Sequence, residues 1–546
     1  MSIYGMLPSD SDSEKPPRRD PNRRSSFSNT TLLPKLYQLL LTQHHPAGIL
    51  NLTNLLRLLW LFLILYCERY IWSSTISACS WENWEHWPPG ATPYRAALIA
   101  DPQLVDIHTY SRRGWFLSST IFYSDLYLRR SWLSMHDQLA PSEVVFLGDL
   151  FDGGREWEAK VSVAMGENTT KTGRDPKRKK DWDKYGEGYW MQELARFRGI
   201  FTPVKGVRIK TGLPGNHDLG FGKGVKLGAR RRFESHFGPS NERWVAGNHT
   251  FISIDGVSLS NLDDPEIYGP SRDFLEGLST PLKKPLLLQN TSIDTPNPVS
   301  PAAGPPGTQQ ATILLTHVPL YRLPRTPCGP RREKRNGTDT GIPIYLGYQY
   351  QNVLLPNLSK ELLDKVKPSY IFAGDDHDAC EYTHPGGVKE WTVKSISWNM
   401  GVRRPGFEMI SLWNPGNGPG VELGDAQGGG AYVKETVQAH LCLLPDQIAV
   451  FIYYSLAMVV TIGVVAVGVL RRVDRDGKGI TQRMVLPIHS PVAGSSDEEE
   501  DPCNKYWKPA KVSRMTRGRF CKETAKEVGR VTWVVVVVYG VVLWRW

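Results

Sequence analysis

The chain has 546 residues, 40% of them apolar and 22% charged, which excludes a wholly disordered protein and a polytopic transporter. The 65 basic residues outnumber the 55 acidic ones, for a net charge of +10. That excess sits in tails, in loops and beside apolar segments, with no aromatic-interleaved basic face, so no nucleic-acid partner is expected.

Residues 1–54 open with a polar, Ser-, Pro- and Arg-rich stretch that predicts a disordered tail on the cytosolic side. Residues 55–72 hold an unbroken apolar run from Leu58 to Cys67, edged by Arg57 and by Glu68 and Arg69. With its flanks counted, this reads as an uncleaved transmembrane signal anchor. Residues 448–470 form the strongest span: 23 residues without a charge, closed by Arg471 and Arg472. Residues 471–530 are a basic and acidic linker, with the acidic run Asp497 to Asp501. The Val-rich residues 531–546 read as a third span.

Charge asymmetry orients these segments. The tail carries seven Lys/Arg through Arg57 and residues 471–530 carry fourteen, whereas Glu435 to Leu470 carries none. The tail and the linker are therefore expected on the cytosolic side, and residues 73–447 on the lumenal side. This region holds five glycosylation sequons, at Asn168, Asn248, Asn290, Asn336 and Asn357. It also holds four cysteines, Cys79, Cys328, Cys380 and Cys442, which permit two disulfides without fixing their pairing. Seven cysteines in all include no CxxC pair, so zinc-finger and thioredoxin chemistry are not expected. Lys171 to Lys184, Pro281 to Gln309 and Pro324 to Asn336 read as surface loops of the domain.

Within residues 73–447, five short apolar runs end in polar clusters. Ala96 to Ala100 leads to Asp101 and Gln103; Val144 to Leu147 leads to Gly148, Asp149 and Asp152. Val207 to Leu213 leads to Gly215, Asn216, His217 and Asp218; Thr312 to Leu315 leads to His317; Tyr370 to Ala373 leads to Asp375 and His377. Such runs predict buried strands, and an open α/β sheet places its site at the carboxyl ends of its strands. Asp, Asn, His and Gln offer oxygen and neutral nitrogen donors and no thiolate, which favours Mn²⁺, Mg²⁺, Fe or Zn over copper.

This ordered set resembles the calcineurin-like metallophosphoesterase superfamily, over roughly residues 95–400. The segments IADPQLVD, GDLFDGGR, LLTHVPLYR and AGDDHDACEYTH are similar to the fungal cell-division-control-protein-one group. Those are membrane-anchored enzymes that trim ethanolamine phosphate from glycosylphosphatidylinositol (GPI) anchors. The resemblance implies an α/β fold: a four-layer sandwich of two mixed sheets flanked by helices. It implies two divalent metal ions bridged by Asp149, with Asp101, Gln103 and His377 on one and Asn216, His317 and Asp375 on the other. Gln103 and Asp375 stand where the superfamily usually has His, and oxygen for nitrogen favours Mn²⁺. Asp152 and Asp218 are expected to orient neighbours, and His217 to act on the reacting phosphate. Arg155 is a candidate to hold a phosphate oxygen, with a surface salt bridge as the alternative, and His384 a candidate to reach the cleft mouth, with a structural histidine as the alternative. A GPI glycolipid or GPI-anchored protein is the implied substrate, in the endoplasmic reticulum or Golgi membrane. Membrane lipid and secretory cargo machinery are the implied partners. A tethered phosphatase or pyrophosphatase of small lumenal substrates is a second reading. A non-catalytic cargo or scaffold protein is a third.

Overall fold

The computed structural model describes residues 51–110, 113–157, 186–278, 311–333, 339–347, 349–414, 435–482 and 517–544. Eleven strands form two sheets among these residues. The first sheet contains β1 (Tyr94–Ile99), β2 (Glu143–Phe146), β3 (Arg208–Lys210), β10 (Gly406–Leu412) and β11 (Val437–Leu443). Its order is β11-β10-β1-β2-β3, with β1, β2 and β3 parallel and β10 and β11 antiparallel. The second contains β4 (Glu242–Ala246), β5 (His249–Ser253), β6 (Thr312–Leu315), β7 (Tyr370–Ala373), β8 (Cys380–Thr383) and β9 (Lys389–Thr392). Its order is β4-β5-β6-β7-β9-β8, parallel from β5 through β9, with antiparallel edges. All five expected strands are present, and both sheets are mixed.

Side-chain alternation explains why those runs are continuously apolar. Ala96, Leu98, Val145 and Leu147 face Phe251, Ile313, Leu315 and Phe372 across the space between the sheets. The residues between them, Ala97, Ile99, Val144 and Phe146, turn the other way, into a cluster with Tyr127, Trp132 and Phe197. Residues of period two thus alternate between two dry layers, and neither face can be polar. The outer layers are helices: α3 (Trp115–Gln138), α4 (Glu187–Ile200) and α5 (Leu227–Phe237) supply aromatics over the first sheet. Helices α6 (Pro265–Gly277) and α7 (Pro356–Val366) place Leu275, Leu358 and Leu362 in the same cluster as Ile252, Leu314 and Ile371 of the second sheet.

The four cysteines of residues 73–447 pair as Cys79–Cys442 and Cys328–Cys380. The first ties the chain entering the domain to β11, the strand that leaves it.

Three apolar segments gather outside the sandwich. Helix α1 (Leu52–Leu65) passes through a π turn, Tyr66–Tyr70, into α2 (Ile71–Ser77), so the first segment is one rod extending beyond the expected 55–72. Helices α8 (Gln447–Gln482) and α9 (Arg517–Trp544) are long and apolar enough to cross a membrane. Both overrun the expected boundaries: α8 continues past Leu470, and α9 begins before Val531. Leu56, Trp60, Val465, Val469 and Val531 pack together, and the Trp60 indole donates to Thr461 Oγ1 at 2.9 Å. Where rod and sandwich meet, buried Glu68 pairs with Arg130 of α3 and accepts from the Tyr454 hydroxyl at 2.6 Å.

Asn248 and Asn357 lie on the surface of the domain, half-buried and exposed respectively. Asn168, Asn290, Asn336, the acidic run and residues 1–50 of the tail lie outside the described residues, while residues 52–54 of the expected tail belong to α1.

Candidate metal centre

Every expected ligand follows the carboxyl end of β1, β2, β3, β6 or β7, and the backbone there is bent into an unusual shape. Nine non-glycine residues have positive φ among the described residues, and five of them are Asp101, Gln103, Asp149, Asp375 and His377. A left-handed residue costs about 1 kcal/mol or more. The strain is concentrated on the residues that must turn their side chains inward from a strand end. Two glycines make the turns fit. At Gly148, φ is +94° and an added Cβ would lie 2.6 Å from His317 Nδ1; at Gly215 it would overlap Asp149 Oδ1.

The side chains converge around Asp149. Ligand atoms of Asp101, Asp149 and His317 lie within 4.8 Å of one another, all three buried. His317 Nδ1 sits 2.7 Å from the Leu147 carbonyl, which only an N–H satisfies. Its Nε2 therefore presents a lone pair to Asn216 Oδ1 at 3.2 Å, Asp149 Oδ1 at 3.3 Å and Asp375 Oδ1 at 3.5 Å. Four acceptors facing one another require a proton or a cation between them. On the other side of Asp149, the Gln103 amide donates to Oδ2 at 2.7 Å and lies 3.0 Å from His377 Nε2. Asp375 N donates to Asp101 Oδ1 at 3.2 Å, while Asp101 Oδ2 is buried with no partner.

Electrostatics favour added positive charge at this cluster. Burial opposes ionisation of Asp101, His317 relieves it, and Asp149 and Asp375 add to it; its pKa is raised well above the carboxylate range. Burial would lower His317, but Asp149 and Asp375 raise it well above the imidazole range. Burial keeps His377 low, hence neutral and suited to ligation. The orphaned Asp101 oxygen, the aimed His317 lone pair and the hard donor set fit divalent metal. Gln103 would present its amide oxygen after a half-turn, since it now offers nitrogen.

Asp152 and Asp218 are tied into the ligand loops by hydrogen bonds. Asp218 accepts from the backbone N–H groups of Gly215 at 2.9 Å, Leu150 at 3.1 Å and Phe151 at 3.2 Å, locking two ligand loops together. His217 donates its backbone N–H to Asp149 Oδ1 at 2.8 Å and directs Nδ1 at Asp152, 2.7 Å from its carbonyl and 3.3 Å from Oδ1. Burial and Arg155 lower the His217 pKa, but Asp149 and Asp152 raise it to about 9.

Arg155 borders the centre but holds protein: Nη1 donates to the Asn216 carbonyl at 2.7 Å, and Nε to Glu156 and to Gln349 Oε1, both at 3.2 Å. His384 is a correction. It is 4% exposed, 2.5 Å from Glu390 Oε2, and Glu390 also pairs with buried Arg322. It serves the second sheet and does not line the cleft. Two contributors escaped the sequence reading. Gln349 O accepts the Asn216 amide at 3.2 Å, and Ser395 Oγ donates to the Asp101 carbonyl at 2.8 Å. No local pattern marks either one.

A buried Asp/Asn/His/Gln cluster at the strand ends of two stacked mixed sheets defines a metal-dependent phosphoesterase. The chain belongs to the calcineurin-like phosphoesterase family, whose model matches residues 103–379. It is 35% identical to "Cell division control protein 1" of Saccharomyces cerevisiae over 401 residues, 71% of this chain and 68% of that one. It is 28% identical to "Metallophosphoesterase 1" of Cricetulus griseus over 64% of this chain and 78% of that one. A crystal structure of a dimetal phosphatase from Danio rerio aligns at 17% identity with a TM-score of 0.30, over 59% of this chain and 94% of that one.

Proposed function

We propose that the chain is a two-metal phosphodiesterase, working with Mn²⁺, that removes ethanolamine phosphate from a mannose of GPI anchors. It does so at the lumenal face of the endoplasmic reticulum or Golgi membrane. The observation that carries this reading is the Asp101–Asp149–His317 cluster inside a disulfide-closed domain mounted on apolar helices. The relative named cell division control protein 1 supports it. The two disulfides fit an oxidising compartment, and the Lys/Arg asymmetry fits a lumenal domain.

Asp149 lies between two donor groups, with Oδ2 toward Gln103 and His377 and Oδ1 toward His317 and Asn216. Asp101 and Asp375 complete the set. Divalent ions held there supply Lewis acidity that lowers the pKa of water and neutralises phosphoryl charge. The chain does the positioning. His217, anchored through Nδ1 by Asp152, keeps its other ring nitrogen for substrate. As an imidazolium it donates to a phosphoryl oxygen and then protonates the mannose oxygen as its bond to phosphorus breaks. Water supplies the oxygen that phosphorus gains, so the products are ethanolamine phosphate and a free mannose hydroxyl. Arg155 fixes the Asn216 carbonyl and hence the turn that aims both Asn216 and His217.

Analysis of GPI glycans in cells lacking the protein tests the reading. Retained ethanolamine phosphate on mannose is expected. An unchanged glycan profile would point instead to a tethered phosphatase of small substrates.

A further inference from the structure

Helix α3 carries a row of aromatic residues that the sandwich does not use. Trp115 is 74% exposed, Phe116 64% and Phe122 54%, and Ser118 is exposed on the same face. Positions 115, 118 and 122 stack along one side of a helix. A soluble surface rarely gathers large apolar side chains this way.

The direction of α3 shows what meets them. Its carboxyl half runs parallel to the rod made by α1 and α2: Gln138 accepts from Ser77 at 2.9 Å, the rings of Tyr127 and Trp72 lie 5.0 Å apart, and Arg130 pairs with Glu68. Going toward its amino end, α3 therefore descends toward the apolar bundle. Tyr123 reaches it, 5.3 Å from Phe451 in the second turn of α8. At that level lie Tyr454, which touches Tyr539 of α9 at 5.9 Å, and the stacked Tyr66 and Tyr70 of the rod at 5.5 Å. An aromatic belt of this kind marks a membrane–water interface. From Tyr123 to Trp115 the helix continues about 12 Å further, at 1.5 Å per residue. Trp115, Phe116 and Phe122 thus extend the belt from the bundle onto the catalytic domain.

We propose that the first two turns of α3 are an interfacial membrane anchor, immersed through Trp115, Phe116 and Phe122 in the leaflet on the catalytic side. The occupant of this face is phospholipid, because the face is continuous with helices whose own exposed residues are apolar. This rests on the membrane reading of α8 and α9. Its consequence concerns the substrate: the loop that begins at the ligand Gln103 ends at Gly114, the cap of this anchor. Holding that loop at the bilayer surface selects a phosphodiester borne on a lipid headgroup glycan over a free solute.

The test uses the full chain in phosphatidylcholine/phosphatidylethanolamine vesicles, with Cys67, Cys503 and Cys521 replaced by Ser. An environment-sensitive fluorophore is placed at Ser118→Cys, at Val459→Cys on α8, or at Lys360→Cys on α7. Nitroxide lipids labelled near the headgroup should quench most of the Ser118 signal and none of the Lys360 signal, and deep nitroxides should quench Val459. Adding Trp115→Ser, Phe116→Ser and Phe122→Ser should abolish quenching at Ser118 and leave Val459 unchanged. Quenching at Val459 with none at Ser118 overturns the proposal, and assigns the face to solvent, a protein partner or a second copy. No quenching at Val459 overturns the membrane reading itself.

Discussion

The imidazole of His317 donates through Nδ1 to the carbonyl of Leu147, 2.7 Å away at the end of β2, and so turns its Nε2 lone pair onto Asp149. One backbone oxygen thereby sets the tautomer, the ring orientation and the ligand atom of a residue contributed by the other sheet. Metal-ligating histidines are ordinarily fixed by such a partner.

Metal binding should release a proton at this residue. Without a cation, the pKa of His317 stands well above its ordinary value because Asp149 and Asp375 outweigh its burial. A ligand must be neutral, so the incoming ion displaces the proton. Affinity should fall as pH drops below the raised pKa and the proton competes better. Calorimetric titration with Mn²⁺ in buffers of different ionisation enthalpy should show proton release at neutral pH, to which Asp101, whose pKa is also raised, can add. In His317→Asn the release should be smaller than in the wild type, and much of the affinity should be lost. Equal proton release in the variant would assign the proton elsewhere.

His217 and Asp152 separate chemistry from ligation. His217→Asn should lower turnover by about 10²–10⁴-fold while metal content stays at the wild-type level. Asp152→Asn, which acts through His217, should cost about 10–100-fold. Metal analysis of both purified variants beside their rates is the check. Loss of an ion from His217→Asn would make that residue a ligand.

Much of this centre was legible because most of its ligands closely follow a strand with both faces buried. Such strands show as unbroken apolar runs at Ala96, Val144, Thr312 and Tyr370, and the turn after each is short. Val207 to Leu213 was less regular, and β3 is correspondingly an edge strand of three residues. Where partners meet only in space, the sequence was silent. Gln349 and Ser395 reach the site from segments without strand-end patterning. His384 follows a ligand block closely, but β8 carries it away, and the charge it needs, Glu390, is on the neighbouring strand. Cysteine pairing was equally hidden, since Cys79 and Cys442 stand 363 positions apart.

That disulfide should matter to stability. It joins the chain at the entrance of the domain to its last strand, so Cys79→Ser should lower stability by about 2–5 kcal/mol. Differential scanning fluorimetry of the detergent-solubilised protein should show a lower Tm for Cys79→Ser and Cys442→Ser alike, and no further loss in the double variant. A further drop in the double variant would mean the two residues act independently.

Glu408 makes a prediction about pH. It is buried in β10, and burial, aided by Glu381 and opposed by Arg331, raises its pKa to about 8. The folded state therefore holds a proton there that the unfolded chain, near 4.5, gives up. Stability contributed by this group is present below 4.5 and is lost as pH rises through about 8. Glu408→Gln should keep the neutral form at every pH. Its Tm should exceed that of the wild type at pH 8 and approach it at pH 5. A constant difference between the two proteins across that range would contradict the assignment.

Purified protein loaded with Mn²⁺ and given a GPI glycolipid bearing ethanolamine phosphate on mannose provides the most direct test, read by mass spectrometry. The wild type should release ethanolamine phosphate and leave the rest of the glycolipid intact. Asp149→Ala, which removes the carboxylate between the two donor groups, should release none. An intact glycolipid, from protein that still hydrolyses a soluble phosphodiester, would contradict the assigned function.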